Sequence, residues 1–329
     1  VSANKDLIAE YGKELYDAAK EGSADFLFEA AVAGGIPIIR PLKQCLEGNQ
    51  IDEIMGIVNG TTNYILTKMF EDGMDFTEAL AKATELGYAE ADPTADVEGL
   101  DAGRKVAIMA TSAFHSQVKF SDVYTEGITK ITAADVNYAK EMGNVIKLIG
   151  IARNTSNGIE AGVYPMMIDK KHPLATVRDS FNAVFVHGDA VGDTMFYGRG
   201  AGELPTASAV AGDVFEVVRN MKADCCGRVG CTCYKTLPVK AMADTHNRYF
   251  LRLQVEDRCG VLAEILEHFA KYQASVAQIM QKESKRPDTA EVVVITKLVS
   301  EGAFFKVKEE LENSASVRKI SSMIRVYEK

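Results

Sequence analysis

The amino-acid sequence predicts a mixed α/β and α+β protein with more than one domain. Its 329 residues exceed the length of an ordinary single domain, so each domain can bury a core of its own. The first part of the chain alternates helix-like and strand-like segments, as α/β layers do. The last part, residues 247–329, follows the order β-α-β-β-α-β of a ferredoxin-like unit.

The N-terminal elements follow from hydrophobic periodicity. The segment KDLIAEYGKELYDAAKEG has apolar residues at helical spacing, and ADFLFEAAVAGGIPII predicts a buried strand that ends at Gly34-Gly35. IDEIMGIVNG predicts a second strand that ends at Asn59-Gly60, and TTNYILTKMFEDG predicts a helix with a threonine cap. The polar loop between this strand and helix is a place where ligands often bind.

Two further helices flank an acidic loop. The first covers residues 77–86 and stops at Gly87, and the second covers about 97–114, with Asp96 near its N-cap. Asp101 and Lys105 are four residues apart, in the order that favours an ion pair on one helix face. Such a pair is most often a solvated surface pair of little energetic value. The apolar neighbours of the pair leave a second interpretation open. Lys105 is then partly buried and transfers protons in catalysis, and the acidic groups nearby bind a substrate that has an ammonium group.

The remaining elements are mainly strands. A helix containing YAKEMG precedes the strands VIKLIGIAR, GIEAGVYPMMI and FNAVFVHGD, which suggest a β layer with helices packed on it. YGRGAGELPTASAVAGDVFEVVRNM is a glycine-rich loop that runs into a helix, and residues 223–246 form a cysteine-containing linker. The C-terminal unit consists of RYFLRLQVED, GVLAEILEHFAKY, SVAQIMQKE, TAEVVVITKLV, EGAFFKVKEELEN and VRKISSMIRVYE.

Composition and charge exclude several classes of function. The net charge of −9 argues against a nucleic-acid partner. We find neither a signal-peptide pattern nor an apolar run of membrane-spanning length, so we expect a cytoplasmic protein without a membrane partner.

The six cysteines fit thiols or metal ligands better than disulfides in such a chain. Cys225, Cys226, Cys231 and Cys233 lack the C-x₂-C…C-x₂-C spacing of a secure zinc site, so free thiols are favoured over zinc or a redox sensor.

The acidic loop carries a family resemblance. GYAEADPTADVEGLDAGRKVAI resembles the signature of homoserine dehydrogenases, G-Y-x-E-x-D-P followed by D-x-x-G-x-D-x-x-x-K. ANK, FEAAVAGGIPII, GIVNGTTNYIL and GRGAGELPTASAVAGD also resemble family motifs and stand in family order. The resemblance implies reversible oxidation of L-homoserine to L-aspartate 4-semialdehyde with NAD or NADP, the branch step towards threonine, isoleucine and methionine.

The resemblance also implies roles for individual residues. Lys105 matches the lysine that relays the hydroxyl proton, Asp101 holds it, and Lys5 is a second acid/base candidate. The implied substrate-binding residues are Glu90, Asp96 and Thr61, and the implied cofactor-binding residues are Gly87, Gly202 and Asn4. A monovalent cation such as sodium would be held, mostly through backbone carbonyls, at Glu29, Val32, Gly34 and Ile36.

The C-terminal unit, with VEDRCGVLAEIL, resembles an ACT domain. Its turn matches an amino-acid-binding turn at Asp257, Cys259, Gly260 and Val261, and the effector expected from the pathway is threonine. ACT domains commonly pair side by side, so a homodimer or homotetramer is expected. A pairing module without a ligand is the alternative.

The resemblance divides the chain into four parts. Residues 1–36 and 193–222 match a remnant of a Rossmann-type nucleotide-binding domain, 37–192 the catalytic and dimerisation domain, 223–246 the linker, and 247–329 the regulatory domain. The G-x-G-x-x-G turn of a complete nucleotide-binding domain is missing, which suggests a truncated chain and leaves the choice between NAD and NADP open.

Two alternatives follow. One is an inactive dimerisation and amino-acid-sensing fragment of such an enzyme. The other is a semialdehyde dehydrogenase, for which Cys45 in PLKQCLEG is a poor nucleophile.

Overall fold

The computed structural model describes residues 1–283 and 288–328. Residues 284–287 and Lys329, which belong to the predicted C-terminal domain, lie outside the described residues. The helices are α1 Lys5–Glu21, α2 Gly60–Glu71, α3 Phe76–Glu85, α4 Thr94–Val97, α5 Leu100–Phe114, α6 Ala133–Glu141, α7 Glu203–Lys222, α8 Val261–Lys271 and α9 Glu301–Asn313. The strands are β1 Ile51–Ile57, β2 Tyr124–Thr125, β3 Asn144–Thr155, β4 Gly158–Asp169, β5 Phe181–Gly188, β6 Gly192–Arg199, β7 His246–Glu256, β8 Val276–Glu283, β9 Thr289–Thr296, β10 Val299–Ser300 and β11 Val317–Val326.

The chain forms two compact units. Unit 1 comprises Val1–Ala133, Lys147–Tyr164 and Lys170–Lys240, and unit 2 comprises Ala134–Ile146, Pro165–Asp169 and Ala241–Lys329. The mixed α/β and α+β class predicted from the sequence is confirmed. Among the described residues, no helix is both long and apolar enough to cross a membrane.

Unit 1 is built on a sheet with the strand order β6-β5-β1-β3-β4. β1 lies antiparallel between β5 and β3, so that Met55 faces Phe185 on one side and Ile151 on the other. β3 and β4 are buried over most of their length, because helices such as α2 and α5 contribute apolar side chains to the same core. This core supports the loop after β1 and the start of α5.

The predicted strand in ADFLFEAAVAGGIPII is wrong. Residues 29–31 form a 3₁₀ turn and Pro41–Cys45 a short π-helical turn, although Phe28–Ala33 are buried as a strand would be. Ala33 and Gly34 both have left-handed backbone angles, φ +56° and +53°, which bend the chain. A short apolar run does not distinguish a buried strand from a buried loop by periodicity.

The predicted start of the helix at Val97 is also wrong. Gly99 has φ +81° and separates the short α4 from α5, which begins at Leu100. Asp96 therefore lies inside α4 rather than at the cap of α5, while Asp101 and Lys105 keep their i,i+4 relation. A second difference is β6, Gly192–Arg199, which pairs antiparallel with β5 and includes the first residues of the predicted glycine-rich loop.

Unit 2 contains the predicted β-α-β-β-α-β order, which is confirmed. Its strands lie in the order β11-β7-β9-β8, and α8 and α9 supply apolar side chains to one core with the sheet. At the centre of this core the rings of Tyr249 and Phe304 stack with centroids 3.6 Å apart. The core also encloses a buried ion pair between Arg325 and Glu301.

Candidate active site

The acidic loop, the loop after β1 and the start of α5 meet at a cleft in unit 1. The cleft has a volume of about 610 Å³, within the usual range for small-molecule sites. Its lining includes all six of the predicted substrate-binding and catalytic residues: Lys5, Thr61, Glu90, Asp96, Asp101 and Lys105. The sequence motif thus corresponds to one concave surface.

Asp101 lies at the centre of the charged groups in this cleft. Its carboxylate accepts a hydrogen bond from Lys105 Nζ at 2.7 Å and pairs with Lys5 Nζ at 3.3 Å. Asp101 is buried, which disfavours its charge, yet Lys105, Asn59 and Lys5 outweigh burial and lower its pKa to about 2. Asp101 is therefore a permanent anion between two lysines, not a solvated partner in a surface pair.

Lys105 uses two of its three donors within the protein. Besides Asp101, its ammonium donates to the carbonyl of Val58 at the end of β1, at 2.7 Å. An ammonium group has three N–H donors. The remaining donor of this largely buried lysine is available to a group bound in the cleft.

Asn59 is a residue of this site that the sequence reasoning assigned only to a turn. Its side-chain amide donates to Asp96 at 2.6 Å and to Asp101 at 3.0 Å. Burial raises the pKa of Asp96, and the hydrogen bond from Asn59 opposes that rise. The signal available in the sequence was the dipeptide Asn59-Gly60 directly before the conspicuous Thr61-Thr62.

The other predicted substrate residues differ in exposure. The buried hydroxyl of Thr61 donates to the carbonyl of Tyr88 at 2.6 Å, which leaves its oxygen lone pairs for an incoming donor. Glu90 is exposed at the edge of the cleft. Thr61 at the start of α2 thus offers an acceptor, and Glu90 of the acidic loop offers a carboxylate.

The predicted cofactor residues are only partly in the cleft. Gly87 and Gly202 line it, and Gly202 directly precedes α7, whose N-terminus has no side-chain cap. Asn4 instead caps α1 by accepting from the Leu7 N–H at 3.0 Å. Among the described residues, the buried Oδ1 of Asn182 has no hydrogen-bond donor although Asn182 lines the cleft.

The predicted cation loop has an unusual hydrogen-bond pattern. The Glu29 carboxylate is already occupied, because it accepts from the N–H groups of Ile38, Ile39 and Arg40 at 2.6–2.8 Å. Burial raises the pKa of Glu29 against these hydrogen bonds. In the described part of the chain, no hydrogen bond uses the carbonyl oxygens of Val32, Gly34 or Ile36. Gly34 also lies so close to Gly200 that a Cβ there would be 2.4 Å from its carbonyl oxygen.

The predicted effector turn joins β7 to α8 in unit 2. Gly260 has φ +93° at the start of α8, Val261 is buried in the core, and Cys259 is exposed. Between them, Arg258 donates a bidentate pair of hydrogen bonds to Glu264 at 2.8 and 2.9 Å. The four residues are close in space because they form one turn.

The cysteines are unbridged. Cys231 and Cys233 line a separate cavity of about 50 Å³ in unit 1, and burial raises the pKa of Cys233. Within residues 1–283 and 288–328, no cluster of three or more His, Cys, Asp or Glu side chains has the geometry of a metal site. Free thiols remain the prediction for these residues.

Comparison with known proteins gives the family. Residues 37–215 match the model of the homoserine dehydrogenase family. The chain is 48% identical to the homoserine dehydrogenase of Corynebacterium glutamicum and 45% identical to that of Bacillus subtilis. Both alignments cover 99% of this chain, and they cover 74% and 76% of the relatives. The chain belongs to the homoserine dehydrogenase family.

Solved structures of homoserine dehydrogenases agree with this assignment. The crystal structure of the enzyme from Thiobacillus denitrificans superposes with a TM-score of 0.94 at 41% identity, over 99% of this chain and 75% of that one. A hyperthermophilic archaeal homoserine dehydrogenase in complex with NADPH is more distant, with a TM-score of 0.58 at 30% identity over 66% of this chain. Residues 249–315 match the ACT domain, so both family resemblances are confirmed.

Proposed function

We propose that this homoserine dehydrogenase chain oxidises L-homoserine to L-aspartate 4-semialdehyde, reversibly and with NAD or NADP, in the cleft of unit 1. The observation that carries the proposal is the Asp101 carboxylate, which holds Lys105 and Lys5 beside a cleft of suitable size. Family membership makes the chain an oxidoreductase of amino-acid biosynthesis and disfavours the inactive sensing fragment as its main role.

The acidic residues suit the charge of the substrate. Homoserine is a zwitterion, and its ammonium group needs an anionic partner once it leaves water. Glu90 and Asp96 supply carboxylates in the cleft, and the Thr61 oxygen can accept one more hydrogen bond. We assign these residues to the amino and hydroxyl groups of the substrate.

The two lysines act on the hydroxyl group of the substrate. Lys105 is held by Asp101 and Val58. In its neutral amine form it keeps two N–H groups for these partners and takes the hydroxyl proton with its lone pair during oxidation, as a general base. The resulting ammonium returns that proton during reduction, as a general acid. Lys5, on the other side of the Asp101 carboxylate, stabilises negative charge on the reacting oxygen. A bound nicotinamide supplies the hydride acceptor.

Several described residues of the cleft are suited to bind part of a nicotinamide cofactor. Gly87 and Gly202 allow close backbone approach, and the N-terminus of α7 favours a negatively charged or polar group. The Asn182 Oδ1, without a donor among the described residues, marks a polar position in the cleft. We keep Asn4 as a cofactor contact made through the backbone next to Lys5, since its side chain caps α1.

The loop at residues 29–36 fits a monovalent cation such as sodium. The carbonyl oxygens of Val32, Gly34 and Ile36, which accept no hydrogen bond from the described residues, are suitable hard ligands. Within the same described part of the chain, the backbone oxygen of Glu29 accepts one long hydrogen bond of 3.4 Å from Val32. The Glu29 side chain acts by shaping the loop.

The remaining assignments are part of the same proposal. The ACT domain binds an amino-acid effector, threonine, at the turn of Asp257, Cys259, Gly260 and Val261. The protein assembles as a homodimer or homotetramer in the cytoplasm. The domain boundaries at 36, 192, 222 and 246 are proposed as given above.

The deciding experiment follows homoserine oxidation as NAD(P)H absorbance with the unaltered chain and with Lys105→Ala. We expect turnover that falls about 100-fold or more in the variant, because general acid–base catalysis is lost. Lys13→Ala is the matched control, since it removes an exposed lysine from an i,i+4 pair with Asp17. Absence of turnover with either cofactor, or an unaffected Lys105→Ala variant, would contradict the proposal.

A further inference from the structure

The Asn59 side chain uses all of its hydrogen-bonding capacity inside the active site. Its Oδ1 accepts from the backbone N–H and from the hydroxyl of Thr62, both at 2.9 Å, and so caps the N-terminus of α2. Its Nδ2 donates both hydrogens, to Asp96 and to Asp101. An amide side chain has two donors and one acceptor oxygen, so none is left for another partner.

This arrangement fixes the orientation of the amide. If the amide were flipped, its NH₂ group would face the N–H of Thr62, and its oxygen would face two carboxylates. Both contacts would be repulsive, so the start of α2 determines that N–H donors point at Asp96 and Asp101. Asn59 itself is buried, which makes the loss of a partner costly.

The two carboxylates that Asn59 joins have different tasks. Asp101 holds the lysines, whereas Asp96 is the proposed partner of the substrate ammonium. Two neighbouring carboxylates repel each other, and one of them then tends to take up a proton. Lys105 on α5 is the charged group, besides Asp101, that acts on Asp96 most directly. The other charged groups among the described residues that line the same cleft are Lys5 on α1, Arg199 on β6 and the exposed Glu90 of the acidic loop.

We propose that Asn59 is a positioning residue of the active site, whose amide ties Asp96 to Asp101 at the spacing that substrate binding and proton transfer require. This inference rests on the proposed function. Asn59 touches neither the substrate nor the cofactor in this account. It favours the ionised form of both carboxylates and orients them, because the two N–H donors of one neutral amide bind Asp96 and Asp101 at the same time.

Two substitutions separate this role from helix capping. Asn59→Ser and Asn59→Asp both retain a good N-cap, since Asn, Asp and Ser are about equivalent at that position. Neither can donate two hydrogen bonds to Asp96 and Asp101 at neutral pH. We expect kcat/KM for homoserine to fall about 10- to 100-fold in both, through a higher KM and a lower kcat.

The pH profile gives a readout that a purely structural role would not move. We expect the acidic limb of the kcat/KM profile to shift to higher pH in Asn59→Ser. The shift should be larger in Asn59→Asp, which adds a third carboxylate. The carboxyl ¹³C chemical-shift titration of Asp96, measured on the whole chain without substrate, should show the same order of midpoints.

Asp75→Ser is the matched control, because Asp75 is the N-cap of α3 and lies outside the cleft lining. It should leave the kinetics and the Asp96 titration unchanged. Failure of the unaltered chain to oxidise homoserine would reject the proposed function, and the Asp96 titration would then still decide the role of Asn59. Unchanged Asp96 midpoints, or variants with the kinetics of the unaltered chain, would overturn the inference.

Discussion

At the scale of single residues, the chemistry of the cleft depends on Asp101 more than on either lysine. It contacts Lys105, Lys5 and Asn59 and is therefore the shared partner of all three. The motif identified both members of the Asp101-Lys105 pair from sequence. It did not identify Asn59, because an asparagine before a glycine is also the ordinary signal for a turn.

Asp101→Asn should impair both activity and stability. The variant keeps the shape of the side chain but leaves two lysines without their anion, so we expect kcat to fall about 100-fold. The low folded pKa of Asp101 stabilises the native state above the unfolded value near 3.8, and this contribution disappears as the pH falls through about 2. The deficit of Asp101→Asn in urea unfolding should therefore shrink from pH 4 downwards.

A deficit that is independent of pH would show that Asp101 is not held as a low-pKa anion. Asp92→Asn is the control, since Asp92 belongs to the same acidic loop but is exposed and hydrogen-bonds only to Thr94 in the described residues. It should retain kcat.

At the scale of elements, turns were harder to predict than helices and strands. α2, α3, β1 and the C-terminal elements follow from period and caps, and the structure agrees with them. The segment around Glu29 does not, because its fold depends on one carboxylate that binds three backbone N–H groups nine to eleven residues away. Hydrophobic periodicity contains no information about such a contact.

Substitution of Gly99 tests how much the turn between α4 and α5 contributes to stability and activity. Gly99→Ala must hold φ +81° with a Cβ that lies 3.2 Å from Val163, so we expect a loss of about 1–2 kcal/mol of stability. The turn also sets the spacing of Asp96 and Asp101, so kcat/KM for homoserine should fall more than stability alone explains. Thermal unfolding and initial rates provide the two measurements.

Gly73→Ala is the matched control for Gly99→Ala. Gly73 has φ +73°, but no atom of the described residues lies within 4 Å of the added Cβ, and Gly73 is not among the residues that line the cleft. It should lose a similar backbone contribution and keep its kcat/KM. Equal kinetics for the two variants would mean that the α4–α5 turn does not position the carboxylates.

At the scale of the whole molecule, the sequence predicted the two kinds of fold but not how the chain divides. Parts of α6, β3 and β4 belong to unit 2, although the C-terminal unit was expected to begin at residue 247. One cause is visible in unit 2 itself: Arg252 on β7 binds Asp135 on α6 at 3.0 Å, a contact across 117 residues. Local patterns cannot reveal a pair so distant in sequence.

The contribution of the buried ion pair to the core of unit 2 can be measured by substitution of Glu301. Its buried carboxylate pairs with Arg325 at 2.8 and 3.1 Å and accepts from Asn247 at 2.9 Å, while Arg325 lies over the ring of Tyr249. Glu301→Gln removes the carboxylate from a buried ion pair, and breaking such a pair typically costs about 3–5 kcal/mol. We expect chemical denaturation of unit 2, monitored by tyrosine fluorescence and hydrogen exchange, to shift to lower denaturant concentration.

The same variant distinguishes catalysis from regulation. The residues that line the cleft all belong to unit 1. Homoserine oxidation by Glu301→Gln without effector should therefore stay within about twofold of the unaltered chain. Added threonine should lose its effect on the variant, because the proposed effector turn lies in the destabilised core of unit 2. Glu309→Gln, on an exposed position of the same helix α9, should change neither property. An unaltered unfolding midpoint in Glu301→Gln would show that the ion pair does not stabilise the core. An intact response to threonine despite a lowered midpoint would place the effector site elsewhere.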